Sequence, residues 1–152
     1  RLAFSSNYSF ITSGYILKGG TNMPSIVSIG IATMDIYISF ERMYPGGNEL
    51  NVAFDVNELG GKAGFMGVFA DDYLGKILED TLLERGVDVS RSHHEHGSSG
   101  YALVEIINGD RVFTDWNKKG VTDLYPFTFT DEEIEYIISN YIEVITAVTN
   151  SK

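Results

Sequence analysis

Tyr44-Pro45-Gly46-Gly47-Asn48-Glu49-Leu50-Asn51-Val52-Ala53 is the stretch on which the fold reading turns. Pro45 fixes one backbone angle, and the two glycines after it admit conformations that a side chain forbids. Helix-forming residues follow directly. Asn48 is the expected N-cap; Leu50, Ala53 and Asn57 repeat along one face, with Val52, Val56 and Leu59 beside it. A bare loop thus opens into a helix N-terminus, where free amides can meet a polar ligand closely. On these ten residues alone an ordinary tight turn before a helix is the better reading. The flanking sequence changes that.

Upstream, residues 26–32 form a short apolar run rich in β-branched side chains, read as a buried strand, with Asp35 just past its end. Residues 36–40 alternate weakly and are read as a short strand leading into the glycine turn. Downstream, Gly60-Gly61 stops the helix and residues 63–69 read as a second buried strand. Asp71-Asp72 caps a further helix in which Ile77, Leu78, Leu82 and Arg85 share a face. Gly86 stops that helix, and residues 87–90 begin an extended connection. Strand and helix alternating in this way imply right-handed crossovers and a parallel sheet covered by helices, an α/β fold.

The alternation then breaks. Residues 101–107 and 111–116 read as two strands joined by Asn108-Gly109, a strong hairpin signal. Such a hairpin cannot join a parallel ladder in sequence order and is expected as a flap or small second sheet. Thr130-Asp131-Glu132-Glu133 is a capping box with acids at the helix's positive end, and its helix is expected to run to about Asn140. Residues 142–148 are a third parallel-type strand.

The chain has 152 residues and 43% hydrophobic content, enough for one domain with a real core. A net charge of −10 argues against general nucleic-acid binding, which needs clustered Lys and Arg. Cysteine is absent, which excludes disulfides, thiolate catalysis and Cys-ligated zinc and is compatible with the expected cytoplasmic location. No apolar run approaches the ~20 residues of a membrane-spanning helix. Residues 1–22 carry no long apolar segment of a secretory signal and are expected to be an extension or remnant outside the domain core of 23–152.

Four features stand in one order: a strand with Gly30 and Asp35; Pro-Gly-Gly with Asn51; Leu59-Gly60, then Gly67, Asp71, Asp72 and Gly75; and Gly86-Val87-Asp88-Val89-Ser90. Together they resemble the N-terminal half of the ribokinase-like (PfkB) carbohydrate kinases, over residues 24–150. The text Asn108-Gly109-Asp110-Arg111-Val112-Phe113 with Asp115 is most similar to the fructoselysine kinases. The resemblance implies a Rossmann-like sheet with helices on both faces and a β-hairpin lid at about 99–117, here as the N-terminal half only. It implies that Asp35 accepts hydrogen bonds from sugar hydroxyls, that Gly46 and Gly47 let the sugar lie against the backbone, and that Asn51 binds it from the helix. Bonds to a charged carboxylate contribute about 1.5–3 kcal/mol each, so one or two can select a polyol.

On the lid, Ala102, Val104 and Asp115 fall where such kinases place pocket-facing residues, and Asp115 is expected to favour the cationic amine of a fructosamine. The implied partner is a small-molecule sugar or sugar-amine, with neither nucleic acid nor membrane, and with a homodimer through the lid. ATP and Mg2+ are implied for the full-length parent. The similar kinases carry their catalytic base and anion hole in a C-terminal half whose Gly-Ala-Gly-Asp motif has no counterpart here. The chain alone is therefore expected to lack a catalytic residue and to be inactive.

Other readings stand beside these. Asp35 taken alone is a turn residue, and Glu49 is expected to sit exposed in the first helical turn. The glycines at 60, 61, 64 and 67 lie across a strand, so they read as packing and not as a dinucleotide loop. His93, His94, Glu95 and His96 offer metal-ligand chemistry but lie in a polar segment without helical spacing, so a solvated loop is the better reading. Arg111 either binds an anionic group or pairs across the hairpin. Trp116 and the aromatics near it are read as lid packing. Beside the sugar kinase, a non-catalytic carbohydrate-binding module uses the same half-fold; a nicotinamide oxidoreductase is disfavoured by the misplaced glycines.

Overall fold

The computed structural model describes residues 11–12, 15–16, 25–141 and 143–146. In chain order, β1 (Ile11–Thr12) and β2 (Tyr15–Ile16) pair only with each other, among the described residues. β3 (Ser25–Ile29), β4 (Thr33–Tyr37), a 3-10 turn (Ile38–Phe40) and β5 (Arg42–Gly46) lead to α1 (Asn48–Glu58). β6 (Lys62–Met66), β7 (Val68–Ala70), α2 (Tyr73–Glu84) and β8 (His93–Glu95) follow. The remainder is β9 (Gly100–Ile107), β10 (Asp110–Trp116), α3 (Val121–Leu124), α4 (Asp131–Asn140) and β11 (Glu143–Thr146). The rest of the anticipated extension, and residues 142, 147 and 148 of the expected last strand, lie outside the described residues.

Two sheets carry the architecture. The first is wholly parallel, in the order β11-β3-β6. Strand residues alternate between its faces, and the two faces fill two separate cores. Ala63 and Phe65 of β6 pack with Leu50, Ala53 and Phe54 of α1 and with Leu78 and Leu82 of α2. Val27, Ile29 and Met66 pack with Ile137 of α4 and Tyr141 on the opposite face. Helices therefore cover both faces, as the strand–helix rhythm demanded.

The second sheet has the order β10-β9-β4-β5. The hairpin is present, with Asn108 (φ 53°) and Gly109 (φ 88°) both in the left-handed region that a two-residue turn of this hand requires. The lid is larger than a hairpin, however. β4 joins β9 in parallel and β5 antiparallel, so residues 33–46 form half of it. Asp35 accordingly sits in the middle of β4 and not past a strand end. Two further boundaries differ from expectation. Gly47, not Asn48, is the N-cap of α1, and it gives no side-chain cap. The run 63–69 divides at Gly67, a position that stays glycine because a Cβ there would lie 2.6 Å from the Gly30 carbonyl oxygen.

The lid is tied to the core at one carboxylate. Asp72 caps α2 by accepting from the Gly75 amide at 2.8 Å, and it also accepts from the Ser99 amide (2.8 Å) and hydroxyl (2.6 Å). Ser99 immediately precedes β9, and Asn117 closes the other end of the hairpin by donating to the Ser99 carbonyl and accepting from Tyr101 N–H. Burial pushes the Asp72 carboxyl up, but the Ser99 and Gly75 hydrogen bonds outweigh it and hold the group below its ordinary value. α4 is anchored by the expected capping box of Thr130 and Glu133, and Asp88 accepts from the Tyr136 and Tyr141 hydroxyls. Among the described residues no helix is long and apolar enough to cross a membrane.

Replacing Asp72 by Ala removes a cap and the lid tie together, so unfolding free energy at neutral pH should fall by about 1–2 kcal/mol in denaturant titrations. Because the folded pKa is depressed, this contribution is complete above the ordinary value of 3.8 and is lost as pH falls through the folded value. The wild-type and Asp72→Ala curves should converge there.

Candidate functional site

The corner between β5 and α1 is built against the turn between β3 and β4. Gly47 has φ of 111°, and a Cβ on it would lie 2.2 Å from the Ile31 carbonyl oxygen. A side chain is thus excluded twice, by conformation and by backbone contact. One residue earlier, a Cβ on the buried Gly46 would come within 2.9 Å of the Asp35 carboxyl carbon. Asp35 therefore lies flat on the bare Gly46 backbone. Its side chain retains 14% exposure, and burial raises its pKa while the Arg111 guanidinium, 3.8 Å away, partly offsets the rise.

Register decides what shares this face. Asp35 pairs with Tyr44 on β5 and with Ala102 on β9, and Tyr37 pairs with Arg42 and Val104. Directly paired residues project to the same side of a sheet. Asp35, Tyr37, Tyr44, Ala102, Val104, Phe113 and Trp116 therefore belong to one face, and Met34, Ile36 and Tyr101 on the other enter the core beside α1 and α2. Tyr37 meets Tyr44 edge-on at 5.6 Å, and Tyr44, Phe113 and Trp116 are all exposed.

Three expectations change. A bulge between Phe113 and Asp115 aligns Asp115 with Leu103, on the face opposite Asp35. The carboxylate expected to meet a substrate amine therefore does not share a wall with Ala102 and Val104; its oxygen accepts from the Trp116 amide. Val104 is on the Asp35 face but is completely buried, and the 3-10 turn packs on its strand. Glu49 is the largest departure. Expected in solvent, it is 4% exposed, lies over Gly30, and accepts from the Ile31 amide at 3.2 Å. It pins the β3–β4 turn to the start of α1. The sequence signal was Gly30 itself, a side-chain-free position within a β-branched run.

Asn51 is exposed on the first turns of α1, its backbone N–H donating to the Gly47 carbonyl at 3.0 Å. The histidines do not form a metal site: among the described residues no three His, Cys, Asp or Glu groups are placed to hold an ion. Each has its own carboxylate instead, His93 with Glu133 (2.6 Å), His94 with Glu79 (3.0 Å) and His96 with Asp71 (2.7 Å). His93 also stacks on Phe127 at 4.2 Å, so residues 93–95 are a strand and His93 is packed, while His94 and His96 are exposed as read. Gly64, the glycine of β6, serves packing as read, since a Cβ on it would strike the Tyr141 hydroxyl.

A helix-covered parallel sheet with a second sheet standing over a glycine corner defines the ribokinase-like fold class. The chain belongs to the pfkB family of carbohydrate kinases, whose family model matches residues 23–139. It is 31% identical over 115 residues to the fructoselysine 6-kinase of Escherichia coli (strain K12), covering 76% of this chain and 43% of that protein. The fructosamine kinase FrlD of Bacillus subtilis (strain 168) is 30% identical over 113 residues, covering 74% and 40% respectively. The fructokinase of Xylella fastidiosa, whose crystal structure has ATP bound, superposes with a TM-score of 0.60 at 27% identity, covering 72% of this chain and 35% of that one. The chain thus spans about two-fifths of the length of these curated relatives.

The Glu49–Gly30 contact makes a stability prediction. Gly30→Ala drives a methyl to within 2.6 Å of the Glu49 side chain and should cost about 1–3 kcal/mol. Glu49→Ala strands the Ile31 amide and should cost a similar amount. In the double variant the clash is gone, so the combined loss should fall short of the sum by about 1 kcal/mol or more. Strictly additive losses in denaturant titrations would show that the two residues do not press on one another.

Proposed function

We propose that this chain is the sugar-binding half, with its lid, of an ATP-dependent kinase that phosphorylates a hydroxyl of a sugar or fructosamine. The single observation that carries the reading is Asp35 lying on Gly46 beside the strained Gly47 corner. A carboxylate next to a side-chain-free surface gives hydroxyls an acceptor and gives the sugar ring a place against the backbone. Asn51 supplies a side-chain amide from α1, and Ala102, the register partner of Asp35, keeps the same wall small. Tyr44 and Trp116 give the apolar faces of a sugar an aromatic rim.

Phosphoryl transfer is positioning and charge stabilisation around the phosphates. ATP and Mg2+ are held, in this proposal, by the remainder of the full-length protein. The role of this chain is to bind the sugar, orient one hydroxyl and exclude water beneath the lid. The chain by itself turns nothing over. The edge strands of the lid, β10 and β5 among the described residues, each leave one side open to a second copy, and a homodimer through the lid is part of the proposal. So is a cytoplasmic location.

The test is phosphorylation of a panel of sugars and fructosamines by the full-length protein with ATP and Mg2+. Asp35→Asn should lower kcat/KM about tenfold to a hundredfold, the range expected for losing one or two bonds to a charged acceptor. Because burial raises the Asp35 pKa, the acid limb of kcat/KM should fall at a pH above the ordinary 3.8. No transfer to any member of the panel would end the kinase reading. Unchanged kinetics in Asp35→Asn would end the role of Asp35.

A further inference from the structure

The lid hairpin ends in Asn108-Gly109, and Asn108 is the one asparagine in the chain that glycine follows. Strand register leaves only these two residues between Ile107 and Asp110, which pair across the hairpin. Both have positive φ, 53° and 88°, and both are exposed. A Cβ built on Gly109 would meet nothing within 4 Å, so no side chain crowds its amide nitrogen. Among the described residues that N–H has no backbone acceptor. Other asparagines are held. Asn57 donates to the Arg85 carbonyl, Asn140 donates to the Tyr136 carbonyl at 2.9 Å, and Asn117 donates to the Ser99 carbonyl and accepts from Tyr101 N–H. Each of these precedes a residue with a long side chain, Glu58, Tyr141 and Lys118 respectively.

The same turn holds the outer strand of the lid. β10 pairs only with β9 among the described residues, and every one of its residues is exposed. A strand with no packed face depends on its ladder and its turn, because a lone pair of strands is marginal in water. Loop length and turn type set the register of such a hairpin, and a two-residue turn of this hand needs left-handed backbone at both positions.

From these observations we infer that Asn108 is a site of spontaneous covalent modification, deamidation to aspartate and isoaspartate, and that the change releases β10. Asparagine is among the thermolabile side chains, and exposed loop tips are where backbone chemistry concentrates. The Gly109 nitrogen bonds to the side-chain carbonyl carbon of Asn108 and gives up its proton. The bond from that carbon to the side-chain nitrogen breaks, and ammonia carries the proton away, leaving a cyclic succinimide. Water then opens the ring. Cleavage at the side-chain carbonyl gives aspartate; cleavage at the backbone carbonyl gives isoaspartate, whose main chain runs through the former side chain. No oxidant or reductant takes part, and the net exchange is one water for one ammonia. Isoaspartate adds a carbon to the backbone of a turn built for two ordinary residues. Both products also place a new carboxylate beside Asp110, in a chain whose net charge is already −10. The pairing of β10 with β9 weakens, while the parallel sheet and its helices are untouched.

The experiment ages the full-length protein at mildly alkaline pH and maps its peptides by mass spectrometry. An isoaspartyl-specific methyltransferase with a labelled methyl donor marks the isoaspartate. Asn108 should convert to both products at least about tenfold faster than Asn117, whose two hydrogen bonds must break first. In the aged protein β10 amides should exchange with solvent about tenfold faster than in fresh protein, with β3 and β6 unchanged. Asn108→Gly keeps a residue suited to the turn and should age without either effect. Freshly made Asn108→Asp carries the charge without the extra backbone carbon, and its β10 exchange should stay closer to the fresh wild type than to the aged one. An Asn108 that stays intact, or converts no faster than Asn117, would overturn the inference. So would conversion that leaves β10 exchange unchanged, or equal loosening in aged Asn108→Gly. These readouts use no substrate, so they stand or fall apart from the kinase reading.

Discussion

The arrangement depends on one steric constraint: the backbone at Gly47 is pressed against the β3–β4 connection too closely to admit a Cβ, and a Cβ on Gly46 would displace the Asp35 side chain. Gly47 touches the Ile31 carbonyl and Gly46 touches Asp35, so the contact fixes where the second sheet leaves the first. From below, Glu49 holds the Ile31 amide, making the same turn a junction of β3, β4 and α1. The lid is therefore not a loose flap. Half of its strands are continuous with this junction, and the other half are clamped at Asp72 and Asn117.

That constraint explains why polar chemistry collects where it does. A bare corner beside a parallel sheet leaves backbone accessible to a ligand, and α1 begins there with its first amides free of side-chain caps. Asp35 is carried on the neighbouring strand, half-buried, with burial raising its pKa and Arg111 partly offsetting the rise. On the opposite face of the lid Met34, Ile36 and Tyr101 pack into the core with α1 and α2.

Much of this could be read from the sequence, for reasons specific to each element. The buried parallel strands, the capping box at Thr130 and the Asn108-Gly109 turn are local signals, and all three are found. Pairings between distant segments were not accessible. Residues 33–35 looked like a connection and 36–40 like the strand, because the partners of residues 33–37 lie both just downstream and some 67 positions away, at Gly100 in the register of Thr33. Asp115 was assigned to the wrong face because a one-residue bulge inverts side-chain direction and leaves no mark in composition. Glu49 was placed in solvent because acids favour first helical turns. Its burial depends on Gly30, nineteen positions earlier, having no side chain.

The central claim is that Asp35 and the glycine corner grip the sugar as one unit. Calorimetric sugar binding to the full-length protein, its Gly46→Ala and Asp35→Asn variants and the double variant measures this directly. If they act together, the methyl at Gly46 displaces Asp35, so each single change weakens binding and the double loses clearly less than the sum. Independent, additive losses, or full affinity in Gly46→Ala, would contradict the account.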